Sequence, residues 1–179
     1  MAHLIGKQVM LREYRESDYE HMRAWVNNPK IVATLSDIFL YPHSEKGTRK
    51  FLDMAMSSDW KGFVIAFKDT QEYIGQIDLI KVDQKNGWAE LGIVIGYEEY
   101  QNRGYGTEAL KLLCEFAFDE LRLNRVELVC WSFNVQGRRA YEKVGFVQEG
   151  VRRQKRYRNG EFFDEICYGL LKEEWEARK

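Results

Sequence analysis

The chain has 179 residues, enough for one domain with a single sizeable core. Its 27 Lys and Arg stand against 28 Asp and Glu, a formal net charge of −1, which argues against a protein held to nucleic acid or to an anionic membrane by overall charge. No apolar run is long enough to cross a bilayer, no basic and then apolar leader opens the chain, and the isolated Cys114, Cys130 and Cys167 suggest neither a zinc site nor a disulfide framework, so a cytoplasmic protein with reduced thiols and no membrane partner is expected.

Val9 to Tyr14 alternates apolar and polar residues as a strand does, and Ser17 to Glu20 spells a capping box that predicts a helix through about Asn27. A loop with Pro29 and Pro42 leads to a second helix from about Ser44 to Met56, with Phe51, Leu52 and Ala55 on one face. Three β-branched, apolar segments at 62–67, 73–82 and 88–95, separated by turn-rich stretches, predict an antiparallel meander. The spacing of Ala109, Leu110, Leu113, Phe116, Ala117 and Leu121 predicts a helix from about Gly104 to Glu120, followed by a strand at 125–131. A short helix at 135–144 stops at Gly145, and a long hairpin turns at Asn159-Gly160. No linker, repeat or low-complexity block divides the chain, so residues 1–179 read as one domain.

The stretch QNRGYGT, Gln101 to Thr107, places two glycines just before a helix. Unpaired N–H groups and a partial positive charge make such a turn a natural seat for a phosphate. A nucleoside triphosphate, a dinucleotide and the pyrophosphate of coenzyme A compete for it. The triphosphate motif G-x-x-x-x-G-K-[ST] is absent. GYGTEA fits the dinucleotide fingerprint G-x-G-x-x-A, but that motif follows the first strand of a parallel unit within a residue or two. Here eight residues separate Ile95 from Gly104, after a meander.

QNRGYG resembles the Q/R-x-x-G-x-G/A pyrophosphate loop of the GNAT superfamily of acyl-CoA-dependent N-acetyltransferases. NVQGRRAYEKVGF, Asn134 to Phe146, is similar to that family's Asn, its Tyr seven residues on, and its Gly-Phe ending. With LREYRESD near the start and NGEFFDEICYGLL near the end, the resemblance covers nearly the whole chain. Within the superfamily it is similar to the Rim-type protein N-terminal acetyltransferases and the bacterial spermidine acetyltransferases, which share the long final hairpin. The resemblance implies an α/β domain (α+β in some schemes) with a mixed, mostly antiparallel central sheet of about seven strands flanked by about four helices. It also implies acetyl-CoA as co-substrate, direct transfer to an amine, no metal, and a homodimer as a compatible assembly.

Residue roles follow from the same resemblance. Backbone amides of Gln101, Asn102, Arg103, Gly104, Tyr105, Gly106 and Thr107 surround the pyrophosphate, and Arg103 adds charge. Backbone groups of Ile93, Val94 and Ile95 pair with pantetheine as a further strand, and one amide serves the oxyanion. Tyr141 matches the general acid, while Asn134 and Lys143 lie beside the cofactor; Asn134 also reads as an ordinary N-cap. Glu90 is the candidate base, directly or through water, and Asp78 and Asp37 are candidates to steer a cationic amine.

The acceptor is read as the α-amine of a protein N-terminus. At pH 7 a lysine-like amine of pKa ~10.4 costs roughly 4–5 kcal/mol to deprotonate, against about 1 for an α-amine near ~8. Polyamines and other small amines remain as alternatives. Spermidine acetyltransferases carry a close acidic pair in the loop between the first two helices, where this chain offers only Asp37 and Glu45. VRRQKRYR, with five basic residues in eight, raises a different class, an RNA- or ribosome-binding module, although a strand sends alternate residues to opposite faces. His3, His21 and His43 show no metal-ligand spacing.

Overall fold

The structure is a computed structural model that describes residues 3–179. β1 (Leu4–Ile5) and β2 (Val9–Arg12) precede three helices, α1 (Tyr19–Val26), α2 (Pro29–Val32) and α3 (Glu45–Ala55). The meander follows as β3 (Gly62–Phe67), β4 (Tyr73–Asp83) and β5 (Trp88–Ile95), then α4 (Tyr105–Glu115), β6 (Arg125–Trp131) and α5 (Val135–Val144). The hairpin β7 (Val147–Arg158) and β8 (Glu161–Leu171) leads to α6 (Lys172–Glu176). All strands join one sheet in the order β1-β2-β3-β4-β5-β6-β8-β7, antiparallel except for β5 with β6. Among the described residues the sheet has eight strands where about seven were expected, because two-residue β1 adds an edge. Two short helices are also added: α2, started by Pro29 at its first turn with Asn28 as cap, and α6 at the end of β8.

The start of α1 departs from the expected capping box. A 3₁₀ turn at Glu16–Asp18 comes first, and Asp18 rather than Ser17 organises it. The Asp18 carboxylate accepts the Arg15 backbone N–H at 2.7 Å and holds the Arg12 guanidinium through bonds of 2.8 and 3.0 Å. Ser17 is exposed. A buried arginine whose ion-pair partner among the described residues is Asp18 outweighs a hydroxyl cap. α3 begins as expected, with Ser44 Oγ accepting the Gly47 N–H at 3.0 Å. The helix expected to run to Glu120 is α-helical to Glu115 and then widens into a π turn, where the Leu121 N–H reaches Phe116 O at 3.1 Å.

Alternation along the strands covers both faces of the sheet. Phe63, Ile65, Ile77, Leu79 and Leu91 pack with Leu110 and Leu113 of α4 and with Tyr141 and Val144 of α5. Val64, Ala66 and Val94 pack on the other face with Met22 and Trp25 of α1 and Leu52 and Ala55 of α3. The parallel pairing of β5 with β6 is brief: Trp88 opposes Arg125, Ala89 opposes Val126 and Glu90 opposes Glu127, after which the strands part. Just there β4 carries an extra residue, Ile80, between the pairs Leu79–Leu91 and Lys81–Glu90. A bulge of this kind bends a strand and sharpens its twist. β6 meanwhile stays paired with β8 up to Trp131–Glu165, so a wedge opens through the middle of the sheet.

Candidate active site

The wedge leaves one edge of β5 bare. Ile93, Val94 and Ile95 pair with Ile77, Gln76 and Gly75 of β4, but their other edge faces the gap with no partner strand. Its N–H and C=O groups suit an extended, amide-bearing arm added as a strand, as the sequence led us to expect for pantetheine.

The glycine turn lies at the open end of β5. Gly104 is the N-cap of α4 with φ +86°, and a Cβ there would meet nothing within 4 Å, so the backbone is left-handed and the space before it is open. Asn102 also has a positive φ of 59°. Among the described residues no side chain caps the helix. The N–H groups of Tyr105, Gly106 and Thr107 have no acceptor in the preceding turn, which leaves them for an anion. The carboxylate at the fourth residue of α4, Glu108, is turned away to the backbone N–H groups of Lys7 and Gln8. Gln101 reaches Ile95 O at 3.5 Å, and Arg103 is exposed.

Tyr141 projects from α5, started by the Asn134 cap to the Gly137 N–H at 3.1 Å. Asn134 also borders the cavity described next, so both of its expected roles are geometrically open. The Tyr141 ring packs against Tyr168 and Phe146, and burial pushes its phenol well above the usual range, so it is protonated at neutral pH. Among the described residues no group bonds its hydroxyl, yet that oxygen is not sealed off. It is a protonated phenol on a residue that lines the cavity described next. Lys143 is exposed and does not line the cavity.

A cavity of about 450 Å³ occupies the wedge. Trp25, Phe39, Phe51, Trp60 and Trp131 give it aromatic walls, and Asp78, Glu90 and Glu165 give it carboxylates. Tyr141 reaches it from the side of the sheet that carries α4 and α5, while Asp78 comes from the side that carries α1 and α3. Asp78 is 8% exposed, and burial pushes its carboxyl up to about 6. Tyr14 OH at 2.7 Å and Trp60 Nε1 at 3.0 Å donate to its Oδ1. Room for it is made by Gly62, where a Cβ would lie 1.7 Å from that oxygen.

The other acids differ. Glu90 is half-buried in the wall. Glu165, which sequence reasoning missed, is buried and tied to Arg152 and Lys155 of β7. Nothing in the sequence separates it from a solvated hairpin acid, because its partners depend on a register shift between Arg152 and Arg156. Asp37 is exposed, lies outside the cavity wall and pairs with Arg156 at 3.5 Å. Part of the basic run is engaged with the rest of the molecule, while Arg152, Arg153 and Lys155 are exposed: Arg156 donates to Leu35 O at 2.7 Å and stacks 4.5 Å over Trp131, and Arg158 donates to Ala33 O at 3.3 Å. Trp131 Nε1 of β6 joins Arg156 on Leu35 O at 2.9 Å, so β6 and the hairpin together clasp the loop after α2 over the cavity.

Cys130 also borders the cavity, but burial pushes its thiol up to about 11, away from nucleophilic use. Among the described residues no group of three or more His, Cys, Asp or Glu is placed to hold a metal ion, and no helix is long and apolar enough to cross a membrane.

The GNAT acetyltransferase domain family matches residues 8–147. The chain is 30% identical over 140 residues to YokL of Bacillus subtilis, an uncharacterised N-acetyltransferase of prophage origin, covering 78% of each chain. It is 25% identical over 157 residues to the spermidine N(1)-acetyltransferase of Escherichia coli K12, covering 87% of this chain and 76% of that one. A Bacillus subtilis relative provisionally assigned as a ribosomal N-acetyltransferase, YdaF, is 41% identical over 105 residues, 59% of this chain and 57% of its own. The spermidine N-acetyltransferase of Vibrio cholerae, solved with CoA and spermine, shares the fold with a TM-score of 0.82 at 21% identity, covering 96% and 99% of the two chains. With its family matched over most of its length, the bare β5 edge, the glycine turn and the tyrosine-bearing cavity, the chain belongs to the GNAT family and is an acetyl-CoA-dependent N-acetyltransferase.

Proposed function

We propose that this enzyme works in the cytoplasm and transfers the acetyl group to the α-amine of a protein N-terminus. The observation that carries this reading is that a single cavity is walled from both faces of the sheet, so donor and acceptor can approach each other through the wedge. The turn from Gln101 to Thr107 holds the pyrophosphate, the free edge of Ile93 to Ile95 aligns pantetheine, and an amide of that edge receives the oxyanion. Tyr141 gives its proton to the leaving thiolate. The acceptor choice is supported by the pairing of Asp37 with Arg156, which engages the nearest interhelical acid outside the cavity wall, and by the low cost of deprotonating an α-amine.

The three carboxylates in the wall favour a second reading, a polyamine acceptor. Thiol release from acetyl-CoA, with an Ala- or Ser-initiated peptide, spermidine and an amino sugar offered separately, separates the two. Turnover is expected with the peptide, and a higher kcat/KM with spermidine would overturn the choice. In the same assay Tyr141→Phe is expected to lower kcat by ~10²-fold or more at an unchanged acetyl-CoA Kd. Wild-type turnover in the variant would remove Tyr141 from its role.

A further inference from the structure

We infer that Asp78 is the base of this reaction, receiving the acceptor nitrogen on its Oδ2 atom. The inference rests on the amine-acetylating reading above and assigns to Asp78 a role the sequence suggested for Glu90.

The two carboxylate oxygens of Asp78 are unequal. Oδ1 is saturated by Tyr14 OH at 2.7 Å and Trp60 Nε1 at 3.0 Å, whereas Oδ2 has only Gln76 Nε2 at 3.5 Å, a length at which little bonding remains. That amide is oriented by a relay, in which Trp25 Nε1 donates to Tyr73 OH at 2.9 Å and Tyr73 OH donates to Gln76 Oε1 at 3.2 Å. The carboxylate is therefore fixed at one oxygen and unfilled at the other, inside a cavity whose remaining neighbours are mostly apolar. Gly62 preserves this arrangement, since any Cβ there would displace the carboxylate. A buried acid that served only to bond Tyr14 would need neither the cavity nor the vacant lone pairs.

The proton balance is simple. Oδ2 takes one proton from the ammonium, and the freed lone pair attacks the thioester carbon. The C–N bond forms, the C–S bond breaks, and Tyr141 protonates the thiolate. The second proton leaving nitrogen restores Tyr141, and Asp78 returns its proton to solvent. Its position near 6 keeps the carboxylate ionised at neutral pH yet closer to the amine than an exposed aspartate. The other titratable groups around this space are Tyr14, Tyr73, His43, Glu90, Cys130, Glu165 and Tyr141.

The test compares Asp78→Asn with wild type. Asparagine keeps an oxygen for Tyr14 and Trp60, so folding is preserved. kcat should fall ~10²-fold or more with acetyl-CoA Kd unchanged, and the acidic limb of the pH profile of kcat should vanish. His43→Gln should retain that limb. If the limb persists in Asp78→Asn and disappears in Glu90→Gln or His43→Gln, the inference is overturned. A binding arm needs no turnover: 2-phenylethylamine, spermidine and an Ala-initiated peptide are titrated calorimetrically into CoA-saturated protein. At least tenfold weaker binding of an amine to Asp78→Asn than to wild type supports the inference even where no acceptor is acetylated, a result that would defeat only the proposed function. Equal binding to both proteins, or no binding of any of the three to wild type, overturns it.

Discussion

Asp78 links chemistry and stability in one side chain. Its carboxyl lies at about 6 in the fold against a usual 3.8, because burial disfavours the charge. The folded state therefore binds the proton more tightly than the unfolded chain. Stability from this group is greatest below pH ~4, falls as the pH rises towards about 6, and has lost about 3 kcal/mol above that. Urea unfolding of Asp78→Asn should show the variant gaining on wild type across this window, and a constant difference would contradict the assignment. Gly104 makes the complementary case. Gly104→Val puts a branched side chain at φ +86° in the space where a phosphate would sit. An acetyl-CoA Kd raised ~10-fold or more is expected, from lost access and from ~1–2 kcal/mol of backbone strain. Gly104 was legible in the sequence, since a glycine before a helix has few other uses. Asp78 was legible as a strand acid placed to steer a cationic amine, but not as a buried carboxylate, because its burial comes from Tyr14 and Trp60, distant in sequence.

At the scale of elements, the junction of β2 with α1 shows how a local motif can mislead. Ser17 and Glu20 satisfy the spacing of a capping box, yet Arg12, 3% exposed, needs an anion and takes Asp18. The S-x-x-E pattern carries no information about that arginine. Asp18→Ala should cost about 3–5 kcal/mol, the usual penalty for stranding a buried charge, whereas Ser17→Ala should stay within ~0.5 kcal/mol. Chemical denaturation of both variants decides which cap organises the helix. The hairpin teaches the same lesson. Its Asn-Gly turn and its strand ends were readable, but Gln154 at φ 51° and the shift around it send the basic residues to Glu165, Leu35 and Ala33. Counted along the sequence, the run suggested a surface for a polyanion, although alternation on a strand already limited it to part of one patch.

For the molecule as a whole, the order of strands and major helices followed from periodicity and turn residues, and the glycine turn with the Asn134 to Phe146 block carried the family. The parting of β5 and β6 did not. It depends on the Ile80 bulge and on β6 keeping its pairing with β8, both properties of the assembled sheet. The cavity is a consequence of that parting, which is why its third acid, Glu165, and its wall of tryptophans could not be read from spacing. The most direct test of the account is a crystal structure with CoA and an unreactive primary amine bound together. The account predicts pantetheine paired along Ile93 to Ile95, the sulfur beside the Tyr141 hydroxyl, and the amine nitrogen on Asp78 Oδ2. Pantetheine lying outside the wedge, or the nitrogen seated away from Asp78, would contradict it.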